Sequence, residues 1–178
     1  FTLRYTQSVG RYRAHVAACR ERSPPGREVY CEAAHIPPAL RGAEAPSALV
    51  VHEVDGACAS LYCQCLCLLA KCFLADKTLC YDVAPFKFYV LSERDTEGDR
   101  FCGYFSKEKA TASGNHLSCI LVLPPHRRKG YGSFLISLAY ELARREGVYG
   151  TPERPLSDAG RAVFTRYWAA SVAEGLAE

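Results

Sequence analysis

The sequence lacks most of the features that sort a chain at first sight. Its net charge is only +3 over 178 residues, so no affinity for nucleic acid or a membrane surface follows from the total. It has no apolar run long enough to cross a bilayer, because the longest, near residues 61–74, is broken by Gln64 and Lys71. No charged segment leading into an apolar run and a small-residue cleavage site opens the chain, which starts at Phe1. A secretory leader is therefore not expected, and the chain reads as a soluble domain taken from something longer. Repeats and low-complexity stretches are missing as well. With 49% hydrophobic and 23% charged residues, disorder is excluded, and the length suits one domain with a real core.

Cysteine is not scarce. There are ten, a number that in a small secreted chain points to a disulfide framework. Most sit inside apolar runs such as LYCQCLCLLAKCFL, where a thiol packs as a small hydrophobe, so they read as reduced and intracellular. Zinc fares no better: a structural site takes about four ligands, and His15 and Cys19 stand four apart with no C-x-x-C pair in reach. Cys63, Cys65 and Cys67 project in different directions on a helix and make a poor cluster.

Along the chain, residues 1–22 form a basic lead-in that ends at the turn signal of Ser23, Pro24, Pro25 and Gly26. Residues 36–48, IPPALRGAEAPSA, read as an exposed loop or insertion, followed by a strand in ALVVHEVDG. Ser60 then opens a helix whose Leu61, Cys65, Leu68, Leu69 and Cys72 fall on one face, which predicts that face as core. FKFYVLSE, RFCGYFSKE and HLSCILVL are strand-like and separated by short turn segments, which favours antiparallel neighbours. Leu135, Leu138 and Leu142 repeat at helical spacing up to a stop at Glu146 and Gly147.

The stretch LVLPPHRRKGYGSFL, residues 121–135, carries more glycine and positive charge than a turn needs. A strand ends at Leu123, passes through Pro124 and Pro125, and meets R-R-K-G-Y-G before a helix starting near Tyr131 or Gly132. Helix-terminal amides, the positive end of the helix dipole and the close approach that glycine permits make such a loop a pyrophosphate cradle. Prolines cannot donate to a ladder, so the strand is expected to splay from its neighbour and leave a slot. The nucleoside-triphosphate pattern G-x-x-x-x-G-K-[ST] is absent. A dinucleotide loop is half matched by Gly130 and Gly132 with Leu135 in the third glycine's place, but the antiparallel strands before it and the lack of further βαβ units count against it. R-x-x-G-x-G between strand and helix matches the acyl-coenzyme A loop of acetyltransferases.

LCLLAKCFLADKTL, YDVAPFKFYVL, GYFSKEK, CILVLPPHRRKGYGSFLISLAYEL and GTPERPLSDAG together resemble the successive signature segments of the MYST family of histone lysine acetyltransferases, covering roughly residues 61–168. The resemblance implies an α/β (α+β) GNAT-like fold: an antiparallel meander with a splayed strand, an acetyl-coenzyme A loop and a following helix. It also implies a nuclear enzyme of chromatin and transcription regulation. The 178 residues divide by this likeness into a degenerate C2HC zinc-finger-like remnant, 1–22, and an acetyltransferase core, 23–178. The family's second zinc cysteine aligns with Thr2 and its first would precede Phe1, so His15 and Cys19 resemble relics and no metal is expected. His126 and Arg127 stand where the family has Tyr-Gln, residues 36–48 are longer than usual, and the family's region after the YW near Trp168 is missing.

Acetyl transfer to lysine needs a neutral amine, and a free one titrates near about 10.4, so a base must take its proton as attack begins. Glu153, between Pro152 and Pro155 in TPERP, matches the family's glutamate base; the plain alternative is a solvated loop carboxylate. Cys119, on the strand entering the loop, matches the active-site cysteine, whose part as acetyl acceptor or slot lining stays open. The likeness assigns coenzyme contacts to Ile120, Val122, Arg127, Arg128, Lys129, Gly130, Tyr131, Gly132, Ser133 and Ser157, the last also a helix N-cap before Asp158. Lys77 matches the lysine that the family acetylates on itself. Acetyl-coenzyme A is the implied co-substrate; histone tails, foremost H4, and chromatin-complex subunits are the implied partners. Two readings of other classes remain: a coenzyme A-binding pseudoenzyme or scaffold, and a nucleic-acid module using Arg11, Arg13, Arg20 and Arg22.

Overall fold

A computed structural model describes residues 2–3, 6–33, 48–74, 82–110 and 114–177. Lys77 and nearly all of the 36–48 loop lie outside them. The elements in order are α1 (Val9–Ala18), β1 (Arg27–Glu32), β2 (Ala48–Asp55), α2 (Ser60–Lys71), β3 (Phe86–Asp95), β4 (Gly98–Glu108), β5 (Cys119–Val122), a 3-10 turn (Pro124–His126), α3 (Tyr131–Arg145) and α4 (Asp158–Ala177). The strands follow the order β1-β2-β3-β4-β5 in one antiparallel sheet, the α/β class that the sequence led us to expect. Two compact units divide within β4, after Phe101.

In the first unit, β2 lies between β1 and β3, with Val51 opposite Tyr30 of β1 on one side and Leu91 of β3 on the other. Its run of Leu49, Val50 and Val51 is buried, as are Phe88, Tyr89, Val90 and Leu91 of β3. β-branched and aromatic residues suit a pleated surface, and each side chain so buried contributes roughly 1.5–3 kcal/mol. At the β3–β4 turn, the Asp95 carboxylate accepts from the N–H groups of Glu97 and Gly98 at 2.8 and 3.2 Å and pairs with Arg100. α1 is capped by Ser8, whose Oγ accepts from the Arg11 N–H at 3.3 Å, and it buries no residue; Arg11, Arg13, Arg20 and Arg22 are all exposed.

One expectation fails here. The buried face of α2 is Tyr62, Cys63, Leu66, Cys67 and Ala70, while Leu61 is 71% and Leu68 50% exposed. Cys65 and Leu69 are half-buried and Cys72 is exposed. The helix is apolar on more than one face, so a 3.6-residue period describes two stripes equally well, and packing chose the one carrying a tyrosine and an alanine. Cys63 and Cys67 consequently share the buried face, with Cys65 turned aside.

The second unit holds the rest of β4, then β5, α3 and α4. Tyr104 and Phe105 of β4, Leu121 of β5, Leu135, Ile136 and Ala139 of α3, and Phe164 of α4 make its core. α3 ends where expected, at Glu146 followed by Gly147 in the left-handed region.

Candidate active site

β5 pairs with β4 from Ser106 opposite Cys119 to Gly103 opposite Val122, and the Leu123 N–H still donates to the Cys102 carbonyl at 2.9 Å. The ladder to β4 is unbroken, since the prolines come only after its last bond and fold into the 3-10 turn. The opening lies along the other edge. There Leu117 forms an isolated parallel bridge with Pro152, and His116 and Glu153 join it through N–H groups donating to the carbonyls of Thr151 (3.2 Å) and Leu117 (2.8 Å). Beyond that bridge, among the described residues, the edge of Cys119–Val122 has no strand partner on this side. The slot is thus bounded by a strand and by a short segment returning from α3.

At the far end of β5 the chain turns through residues 127–130 into α3. Arg128 (φ 63°) and Gly130 (φ 88°) are both left-handed, and Gly130 is the N-cap of α3 without any side chain to cap it. A left-handed non-glycine residue costs about 1–2 kcal/mol, which marks Arg128 as held there by its surroundings. Backbone of this kind turns successive N–H groups into a concavity suited to an anion, at the positive end of a 15-residue helix. A Cβ on Gly132 would meet only Val163 Cγ1, at 3.7 Å, so the protein itself does not need glycine there. Arg127 leans back, its Nε donating to the Val122 carbonyl at 3.2 Å, while Lys129 Nζ sits 5.9 Å above the Tyr131 ring.

Glu153 is exposed, on a segment whose neighbour Pro152 is buried. Cys119 is half-buried, with its Sγ 3.8 Å from the Tyr104 hydroxyl. Ser157 accepts from the Gly160 N–H at 3.1 Å and its carbonyl from the Arg161 N–H at 2.7 Å, so it caps α4. Next to Glu153 in sequence, a cavity of about 630 Å³ opens between Arg154, Pro155, Leu156, Arg161 and Trp168. The second unit thus carries the residues assigned to base, cysteine, loop and cap, and Lys77 alone falls outside the described residues. Sequence reasoning passed over His116, which is 1% exposed beside the bridge, and Gly150, where a Cβ would come within 1.7 Å of the Gly114 carbonyl oxygen. The only sequence signal for either was a lone histidine ahead of an apolar run and a glycine ahead of TPERP.

The lead-in does not fit a zinc ion. Thr2 Oγ1 lies in hydrogen-bond contact with His15 Nε2 at 2.9 Å and offers a hydroxyl, not a thiolate. Cys19 Sγ points to the Glu21 carbonyl at 3.8 Å. Among the described residues of this segment, His15 and Cys19 supply two of the four donors that such a site takes.

The antiparallel sheet, the basic left-handed loop and the helix behind it are those of a GNAT-like acetyltransferase domain. The MOZ/SAS family model matches residues 23–178, and the chain belongs to that family. It is 46% identical over 174 residues to the Drosophila melanogaster protein named histone acetyltransferase MOF, 44% over 176 residues to human histone acetyltransferase KAT6A, and 45% over 185 residues to histone acetyltransferase SAS3 of Saccharomyces cerevisiae. These alignments cover 98%, 99% and 99% of this chain but 19%, 8% and 21% of the relatives, so the chain spans about a fifth of their length or less.

Proposed function

We propose that the chain transfers an acetyl group from acetyl-coenzyme A to the side-chain amine of lysine in histone tails, H4 foremost, in the nucleus. The observation that carries this reading is the pairing of Leu117 with Pro152: it sets an exposed carboxylate, Glu153, beside the strand that carries Cys119 and leads into the anion-cradling loop. The relatives' names support the choice of histones as acceptor.

The coenzyme supplies an acetyl group activated as a thioester. The loop residues Arg127, Arg128, Lys129, Gly130, Tyr131, Gly132 and Ser133 hold its pyrophosphate through charge and backbone N–H groups, and Ile120 and Val122 offer strand groups to its arm. Ser157, at the start of α4, closes the other side. Glu153 takes the proton from the incoming ammonium so that the amine's lone pair can form the new amide bond. The departing sulfur then receives a proton in its turn. Cys119 lines the slot near the reacting carbonyl, and the histone amine can attack without passing through its sulfur.

Labelled acetyl transfer onto separated core histones tests the reading. The chain should label H4, and Glu153→Gln should lower turnover by about 10² or more at neutral pH with coenzyme affinity unchanged. That loss should shrink as pH rises, because more substrate lysine is already neutral. Cys119→Ala should keep part of the activity. Coenzyme binding with no transfer to any core histone would make the chain a scaffold instead, and wild-type turnover in Glu153→Gln would remove the base.

A further inference from the structure

Few side chains in the second unit are as enclosed and as poorly partnered as His116. It is 1% exposed, and neither ring nitrogen completes a well-formed hydrogen bond among the described residues, the Gly150 backbone being the nearest polar group that acts on the ring. Leaving buried polar atoms in that state costs about 1–3 kcal/mol, which a plain apolar residue would avoid. Its position is the more telling fact. The His116 backbone N–H donates to Thr151, the next residue bridges Pro152, and the Leu117 carbonyl receives the Glu153 N–H. Its ring lies on Tyr140 of α3, with centroids 4.1 Å apart. Tyr140 in turn stacks on Tyr167 of α4 at 5.0 Å and accepts from Trp168 Nε1 at 2.6 Å. His116 therefore meets the segment bearing the carboxylate through its backbone and α3 through its ring, and Tyr140 carries the contact on to α4.

We propose that His116 is a positioning residue: its ring, held against Tyr140 while its backbone pairs with the 150–153 segment, sets where the Glu153 carboxylate stands. The proposal rests on reading Glu153 as the base. A charged ring could not keep this place. Burial pushes the His116 pKa down, the Gly150 backbone opposes that, and Lys107 of β4 adds to the fall. The groups around it are Lys107, whose ammonium pairs with Glu146 at the end of α3, the hydroxyls of Tyr140 and Tyr167, and Glu153 on the bridged segment. No carboxylate is among the groups that act on the ring, so acid should drive His116 out and loosen the segment.

The experiment is a double-mutant cycle on the whole chain, with an H4-tail peptide as acceptor and coenzyme affinity measured by calorimetry. His116→Ala should cut kcat about tenfold or more and leave coenzyme affinity within about twofold, because the loop lies at the other end of β5. His116→Phe keeps a ring against Tyr140 and should recover most of kcat, with a shallower acid limb in the pH profile. In the Glu153→Gln background, His116→Ala should cost little more, since the group it places is gone. An equal loss in both backgrounds, an acid limb in His116→Phe that overlays wild type, or an unchanged kcat in His116→Ala would each overturn the proposal. Wild-type turnover in Glu153→Gln alone would instead overturn the base, so the two failures read differently. If His116→Ala does not fold, the His116→Phe profile still decides.

Discussion

The basic loop of residues 127–133 and the segment of residues 150–157 lie at opposite ends of β5 and are held by different means. The loop is local: two left-handed residues, a helix N-terminus and a run of positive charge, all within seven positions. The segment is held from afar, by a single bridge to Leu117, by two backbone hydrogen bonds across more than thirty positions, and by a backbone contact so close that Gly150 has no room for a Cβ. A ligand cradle can be written into consecutive residues because its parts are amides of one turn. A carboxylate set beside a distant strand, as the base proposed at Glu153 is, cannot, because the chain left that strand long before.

That contrast can be broken at its strongest point. Gly150→Ala drives a methyl group into the Gly114 carbonyl and should cost about 3 kcal/mol of stability in urea denaturation, taking most turnover with it. A cost well under 1 kcal/mol would mean that the two segments are not pressed together. Gly132→Leu makes the opposite case: its Cβ meets only ordinary contact with Val163, so stability should hold, while coenzyme affinity falls at least about tenfold in calorimetry.

The acid response sharpens the comparison next. His116 is buried neutral, so its folded pKa lies below its unfolded one, and the unfolded chain binds the extra proton. Stability is therefore full above the unfolded pKa, near about 6.5, and is lost as pH falls through the folded value. His52 in the first unit, also lowered by burial, acts in the same direction. His116→Phe should thus flatten the fall in melting temperature on acidification in part, leaving the His52 share.

The smallest effect expected is at Arg128. Glycine accepts the left-handed backbone that Arg128 already adopts, so Arg128→Gly removes charge and keeps shape, and coenzyme affinity should drop only a few-fold, about 0.5–1 kcal/mol. A loss as large as that of Gly132→Leu would show that charge, not the space beside the backbone, holds the pyrophosphate.

Local signals determined a good part of this protein on their own. The turn chemistry after β5, the start of α3 at Tyr131, its stop at Glu146 and Gly147, the cap at Ser157 and the antiparallel strand runs were all legible, because each rests on neighbours within a few residues. The family likeness was legible for the same reason, as a series of short contiguous motifs. Only the tertiary structure decided which stripe of α2 is buried, since Leu61 and Tyr62 compete equally until packing covers one of them. It also decided that the slot opens toward residues 150–153, and that His116 and Gly150 are packed beside it. Burial and close approach are properties of pairs of distant segments, and a single position in a sequence carries no record of what will be packed against it.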